Sequence, residues 1–117
     1  MGEELANKKC VPCEGGTLPM SEDEAHRYMS QVMGWQIIED KKIKKEFQFN
    51  DFKGSLDFVN KVGALAEEEK HHPNITIIYN KVNITLSTHA IGGLSENDFI
   101  MAAKIDQLNK HNEDNKS

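Results

Sequence analysis

Cysteine is scarce: the 117 residues hold two, Cys10 and Cys13, and no second pair that would complete a four-ligand structural zinc site. The Cys-x-x-Cys spacing therefore stays open between a redox dithiol, half of a metal site and a turn carrying two reduced thiols. No apolar run approaches the length that crosses a bilayer, and the N-terminus lacks the apolar stretch of a secretory leader. A cytoplasmic setting is expected, in which Asn74-Ile75-Thr76 and Asn83-Ile84-Thr85 are strand segments rather than glycosylation acceptors. Basic charge is also short. Fourteen Lys and Arg against 19 Asp and Glu give a net charge of -5, which argues against a nucleic-acid backbone as partner. No glycine-rich phosphate loop, no Ser-His-Asp order and no internal repeat is present, so nucleotide and acyl-transfer chemistry drop out. What remains is 38% hydrophobic and 28% charged residues, the balance of one globular domain able to bury roughly 65% of its unfolded surface.

The informative stretch is 67–89, EEEKHHPNITIIYNKVNITLSTH. Pro73 disfavours helix at the residue before it, so a helix arriving from the N-terminal side should stop near Lys70 or His71, leaving His71 and His72 at a helix-to-strand corner. Two β-branched runs follow, joined by a tight turn near Asn80, which reads as a hairpin. In the second run Val82, Ile84 and Leu86 share the core face, and Asn83, Thr85, Ser87 and His89 share the polar one. That polar face either hydrates as an open sheet or lines a pocket.

The remaining elements support this corner. Residues 1–20, with CVPCEGG and Pro19, form an irregular arm. Ser21-Glu22-Asp23-Glu24 is a capping box that opens a helix with an apolar stripe including Tyr28 and Val32, ended by Gly34 as a left-handed cap. Residues 35–39 read as a strand, 40–42 as a turn and 43–49 as a second strand with Ile43, Phe47 and Phe49 on one face; Lys45 interrupts that face, as an edge strand would allow. Asp51 N-caps a helix over about 52–69, whose stripe of Phe52, Leu56, Val59, Val62, Gly63 and Ala66 lies on the sheet. Glu67 and Glu69 flank the stripe at the negative end of the helix dipole, an awkward place that favours a specific use beside the histidines. Ser95-Glu96-Asn97-Asp98 repeats the capping pattern with an aspartate. The last helix is apolar on two sides, Phe99, Ala102 and Ala103 against Met101, Ile105 and Leu108, so one side is expected on the sheet and the other on a second subunit. The order is α-β-β-α-β-β-α: an α+β domain of two layers, a four-stranded antiparallel sheet with helices on one face, over 21–110, with 111–117 a frayed tail.

Histidine is the side chain whose ordinary pKa lies nearest neutrality, so several around one pocket suit donating one proton and removing another in the same turnover. His71, His72 and His89 could instead hold a metal or have no role.

EKHHP, YNKV, ITLSTH and GLSENDF at these separations resemble the pterin-4a-carbinolamine dehydratase family, known in animals also as the dimerization cofactor of a homeodomain transcription factor. The likeness spans about 21–108, and CVPCEGG resembles the arm of microbial and plant members. The resemblance implies a lyase that dehydrates 4a-hydroxytetrahydropterin to quinonoid dihydropterin, in recycling of the tetrahydrobiopterin-type cofactor of aromatic amino acid hydroxylases. It implies no metal and no cofactor. His71 and His89 match the family's acid/base pair, and His72 the residue that mainly holds the pterin. Glu67 matches a pocket glutamate; Pro73, Ser87 and Thr88 match substrate contacts; Trp35 and Asp98 match residues near the pocket, with helix capping an equal role for Asp98. Lys70 and Ala90 replace acids of the animal pattern at the pocket rim. A homodimer or homotetramer is implied, with no direct nucleic-acid or membrane contact. A different class of function is also compatible: a transcriptional coactivator that binds a partner helix through Met101, Ile105 and Leu108.

Overall fold

Ser21 holds an extended backbone and its hydroxyl accepts from the Glu24 amide at 3.2 Å, with three acidic residues in the turn that follows. This starts helix α1, Glu22–Met29, in the computed structural model, which describes residues 5–11 and 18–114. The helix is shorter than the spacing predicts. Ser30 caps it, and Gly34, expected as the cap, takes φ +86° in the turn that enters the sheet. A side chain there would be strained and would crowd Lys45 at 3.1 Å.

Strands β1 (Gln36–Ile38) and β2 (Lys42–Gln48) form a hairpin whose turn places Glu39 and Asp40 in the left-handed region. Helix α2 (Phe52–Glu69) begins where the Asp51 carboxylate accepts from the Gly54 amide at 2.8 Å. Strands β3 (Asn74–Ile78) and β4 (Lys81–Leu86) form the second hairpin, joined through Tyr79 and Asn80. Asn80 exchanges two hydrogen bonds with the Phe49 backbone, which ties that turn to the start of α2. Helix α3, Glu96–Asp114, closes the chain, its backbone continuing past the point where a frayed tail was expected.

The antiparallel sheet runs β1-β2-β4-β3, and the element order α-β-β-α-β-β-α in two layers is the one the sequence predicts. Register sets Ile43 opposite Leu86 and Phe47 opposite Val82, and these four side chains are buried. Phe58 of α2 lies against Phe47 and Phe49 with ring centroids 4.8 and 5.0 Å apart, giving the core an aromatic centre.

Three expectations need correction. The buried stripe of α2 is Ser55, Phe58, Val62 and Ala66, so Phe52 and Leu56, 45% and 39% exposed, lie on its margin; Phe58 turns inward against Phe47 of β2 and Phe49 just beyond it. Lys45 is not on an edge strand, because β2 is central; its Nζ is neutralised by Asp106 at 2.8 Å and lies 5.0 Å from the Phe47 ring centroid. Both sides of α3 are filled within this one chain. Phe99, Met101, Ala102 and Ile105 are all completely buried, so a second subunit is not needed to cover them. The arm contributes to this: Leu5 and Ala6 are helical and buried in the same cluster, and Lys8 pairs with Glu96 at 3.0 Å.

Candidate active site

Helix α2 stops as the proline rule predicts. Lys70 takes a left-handed cap with φ 56°, and the next amide, that of His71, still reaches the Ala66 carbonyl. The chain then turns into β3 and leaves His71 and His72 on the corner. Across from it, β4 runs past Leu86 into Ser87 and Thr88, and a short 3-10 turn, His89–Ile91, carries the third histidine. A two-way backbone bridge between Thr88 and Gly93 closes that loop, and Gly92 supplies its left-handed residue.

Between these segments lies a cavity of about 510 Å³. The corner contributes Glu69, Lys70, His71 and His72; the end of β4 contributes Ser87, Thr88, His89 and Ala90; the arm contributes Cys10 and Val11, and α3 contributes Asn97. A smaller hollow of about 230 Å³ shares Ser87, Thr88 and His89 and extends to Glu39, Lys41 and Lys42 of the first hairpin. Of the polar face expected along β4, only Ser87 and His89, beyond the end of the strand, line a pocket; Asn83 and Thr85 do not, and His89 borders both compartments.

His71 is held most firmly. Its Nε2 lies 2.6 Å from Oδ1 of Asp98, which is completely buried. The other oxygen, Oδ2, accepts from the Ser95 amide at 2.9 Å and from the Thr88 hydroxyl at 2.9 Å, while the Ser95 hydroxyl donates to Thr88 at 2.7 Å. A carboxylate accepting from this many donors is an acceptor on every side, so the proton of the shared bond sits on Nε2. Nδ1 of His71 is thereby left outside that bond. Asp98 caps α3 with Oδ2, as expected of it, and meets the His71 imidazole with Oδ1, a contact the sequence did not assign.

His72 and Glu67 are both exposed and pair through Nε2 and Oε2; His72 lines the cavity and Glu67 does not. Glu69 is the more buried glutamate. Its side chain is 6% exposed, accepts from the Cys10 amide at 2.8 Å and lies 3.7 Å from Lys104 Nζ. Burial, with the Glu69 carboxylate adding to it, pushes the Cys10 thiol up from 9.0 to about 12. Such a thiol stays protonated and is a poor nucleophile or metal ligand; Cys13 lies outside the described residues.

Of the residues singled out in the sequence, His71, His72, His89, Ser87 and Thr88 all line one cavity. Asp98 stands directly behind His71, and Thr88 spends its hydroxyl on Asp98. Pro73 shapes the corner without reaching the lining. Trp35 is elsewhere: it is buried, with its indole N–H donating to Asp106 at 3.0 Å. Cys10, Val11 and Asn97 were not assigned to the site; the arm motif was visible, but its contacts span up to 87 residues of sequence and left no local signal. Among the described residues, the three histidines do not bring their ring nitrogens within ligand distance of one another; the trio that does converge is Glu22, His26 and Asp40, all exposed.

Residues 18–108 match the family model described as pterin 4 alpha carbinolamine dehydratase. A protein of Rubrobacter xylanophilus, provisionally named a pterin-4-alpha-carbinolamine dehydratase, is 47% identical over 105 residues, covering 90% of this chain and 98% of that one. Among solved structures, the transcriptional coactivator/pterin dehydratase from Brucella melitensis superposes with a TM-score of 0.74 at 32% identity, over 77% of this chain and 97% of that one. A pterin dehydratase-like protein identified as a RuBisCO assembly factor in the alpha-carboxysome superposes with a TM-score of 0.53 at 31% identity, over 63% of this chain and 84% of that one.

Proposed function

The chain belongs to the pterin 4 alpha carbinolamine dehydratase family, and from that premise we propose that it removes water from a 4a-hydroxytetrahydropterin to give the quinonoid dihydropterin. The observation that carries this reading is that His71, oriented through Nε2 by buried Asp98, lines the same cavity as His89. The elimination exchanges protons only. The C4a–O bond breaks as an acid protonates the departing hydroxyl; a base takes the proton of the adjoining ring nitrogen, and its electron pair forms the C=N bond. No electron acceptor is consumed. Two imidazoles in opposite protonation states supply both transfers, and the acid of one turnover must regain its proton before the next. His72, tied to Glu67, is assigned to holding the pterin, alongside Ser87. The hydroxyl of Thr88 acts through Asp98.

The test is the rate at which 4a-hydroxytetrahydropterin is consumed, read against buffer alone. The wild type should accelerate it, and His71→Ala or His89→Ala should each lose roughly 10²- to 10⁴-fold in kcat, the range of a general acid or base. The wild-type pH–rate profile should be bell-shaped, with one limb lost in each variant. An unaccelerated reaction, or full activity in both variants, would refute the reading. Recycling of the cofactor of an aromatic amino acid hydroxylase and a cytoplasmic, homo-oligomeric setting complete the proposal.

The coactivator reading gains support from the Brucella melitensis structure, whose protein bears both descriptions. In this chain Met101 and Ile105 are completely buried, so a partner helix would have to dock on a surface other than that side of α3.

A further inference from the structure

One wall of the cavity has no part in the proton transfers. Cys10 and Val11, far from the histidines in sequence, line it beside them. Their backbone is fixed by side chains from two helices. The Cys10 amide donates to Glu69 Oε1 at 2.8 Å. The Val11 amide donates to Asn97 Oδ1 at 3.0 Å, and the Val11 carbonyl accepts from Asn97 Nδ2.

The Asn97 amide thus treats Val11 as a neighbouring strand would, with donor and acceptor both engaged, which fixes the orientation of the arm as well as its distance. Asn97 is 5% exposed, and the side chain of Glu69 is nearly as buried and lies near Lys104. Buried polar groups that give their hydrogen bonds to a remote backbone are costly to leave unpaired, so each holds the arm in place. The arm presents small and apolar groups to the cavity: the thiol of Cys10 and the side chain of Val11, which is 64% exposed. A flat heterocycle entering beside the histidines would cover that apolar surface.

We infer that Cys10 and Val11 form part of the pterin-binding surface, and that Asn97 and Glu69 are positioning residues that hold them against the substrate. The identity of the ligand rests on the dehydratase reading; the placement of the wall does not. Asn97 adjoins Asp98, so the residues that orient the arm and the imidazole are consecutive on α3.

The full-length chain carrying Cys13→Ser leaves Cys10 as its one thiol; because that thiol is protonated and unreactive while the arm is seated, its labelling by a maleimide reports release of the arm. Asn97→Ala should raise KM for 4a-hydroxytetrahydropterin roughly tenfold, with kcat and its pH profile little changed, because the wall must now be ordered by the substrate itself. It should also speed labelling of Cys10. Asn97→Asp, which keeps the acceptor for the Val11 amide, should fall between. Val11→Ser keeps the backbone ties and should raise KM roughly threefold, below the effect of a fully enclosed apolar group. A 7,8-dihydropterin, which lacks the 4a-hydroxyl, should slow Cys10 labelling in the parent.

Unchanged KM in Val11→Ser together with labelling indifferent to the dihydropterin would overturn the inference while leaving an active parent as a dehydratase. Protection of Cys10 in a parent that does not accelerate dehydration would sustain the inference and refute the reaction. Should Asn97→Ala fail to fold by circular dichroism, Val11→Ser and the protection experiment decide alone.

Discussion

The carboxylate of Asp98 and the amide it would become in Asp98→Asn are nearly the same shape, and asparagine caps a helix as well as aspartate does. The exchange should therefore leave α3 in place while changing what His71 meets, since a side-chain N–H would face Nε2 or the remaining oxygen would have to serve three donors. A kcat lower by on the order of a hundredfold, with a melting temperature close to the parent's, is expected. Undiminished kcat would remove Asp98 from the mechanism. At this scale the sequence was most readable where a residue's neighbours in the chain determine its place: Pro73 sets the corner, and alternation along β4 buries Val82, Ile84 and Leu86 and leaves Asn83 and Thr85 on the other face. It was least readable where the partner is remote. Nothing near Glu69 announces Cys10, and nothing near Trp35 announces Asp106.

Elements were legible in order and type, less so in rotation and length. Capping chemistry started α1 and α2 where Ser21 and Asp51 stand, but α1 ended before its glycine, and α2 turned Phe58 inward against Phe47 of β2 and Phe49 just after it. Tertiary packing decided both. The arm is the element whose attachment responds to acid. Glu96 accepts from Lys8 and from the Tyr28 hydroxyl at 2.8 Å, and these bonds, Lys8's the larger, hold its carboxyl below the ordinary 4.5. A depressed carboxyl contributes stability above its unfolded pKa and loses it as pH falls through the folded value. Hydrogen exchange at the amides of residues 5–11, corrected for intrinsic rate, should rise between about pH 5 and about pH 3, before the sheet amides follow. Arm and sheet exchanging together would show that the pair with Lys8 does not anchor the arm.

At the scale of the whole molecule, two apolar sides on one helix pointed to a second subunit, and the arm together with the rest of the fold covers both instead. Periodicity identifies which positions seek burial and is silent on which segment buries them. Met101→Asp therefore tests integrity rather than assembly. A charge placed at a completely buried position should cost more than about 4 kcal/mol and abolish the cooperative thermal transition, where a subunit-contact residue would release a folded protomer visible by light scattering. Met101 and Ile105 are unavailable to a second subunit, whereas Leu108 of the same side is only half-buried. Within the chain, the two oxygens of Asp98 join the opening turn of α3, which is buried from Asn97 to Ile100, to the imidazole of His71. The orientation of that imidazole should therefore persist until the core itself gives way, and the temperature of half-activity should coincide with that of half-melting.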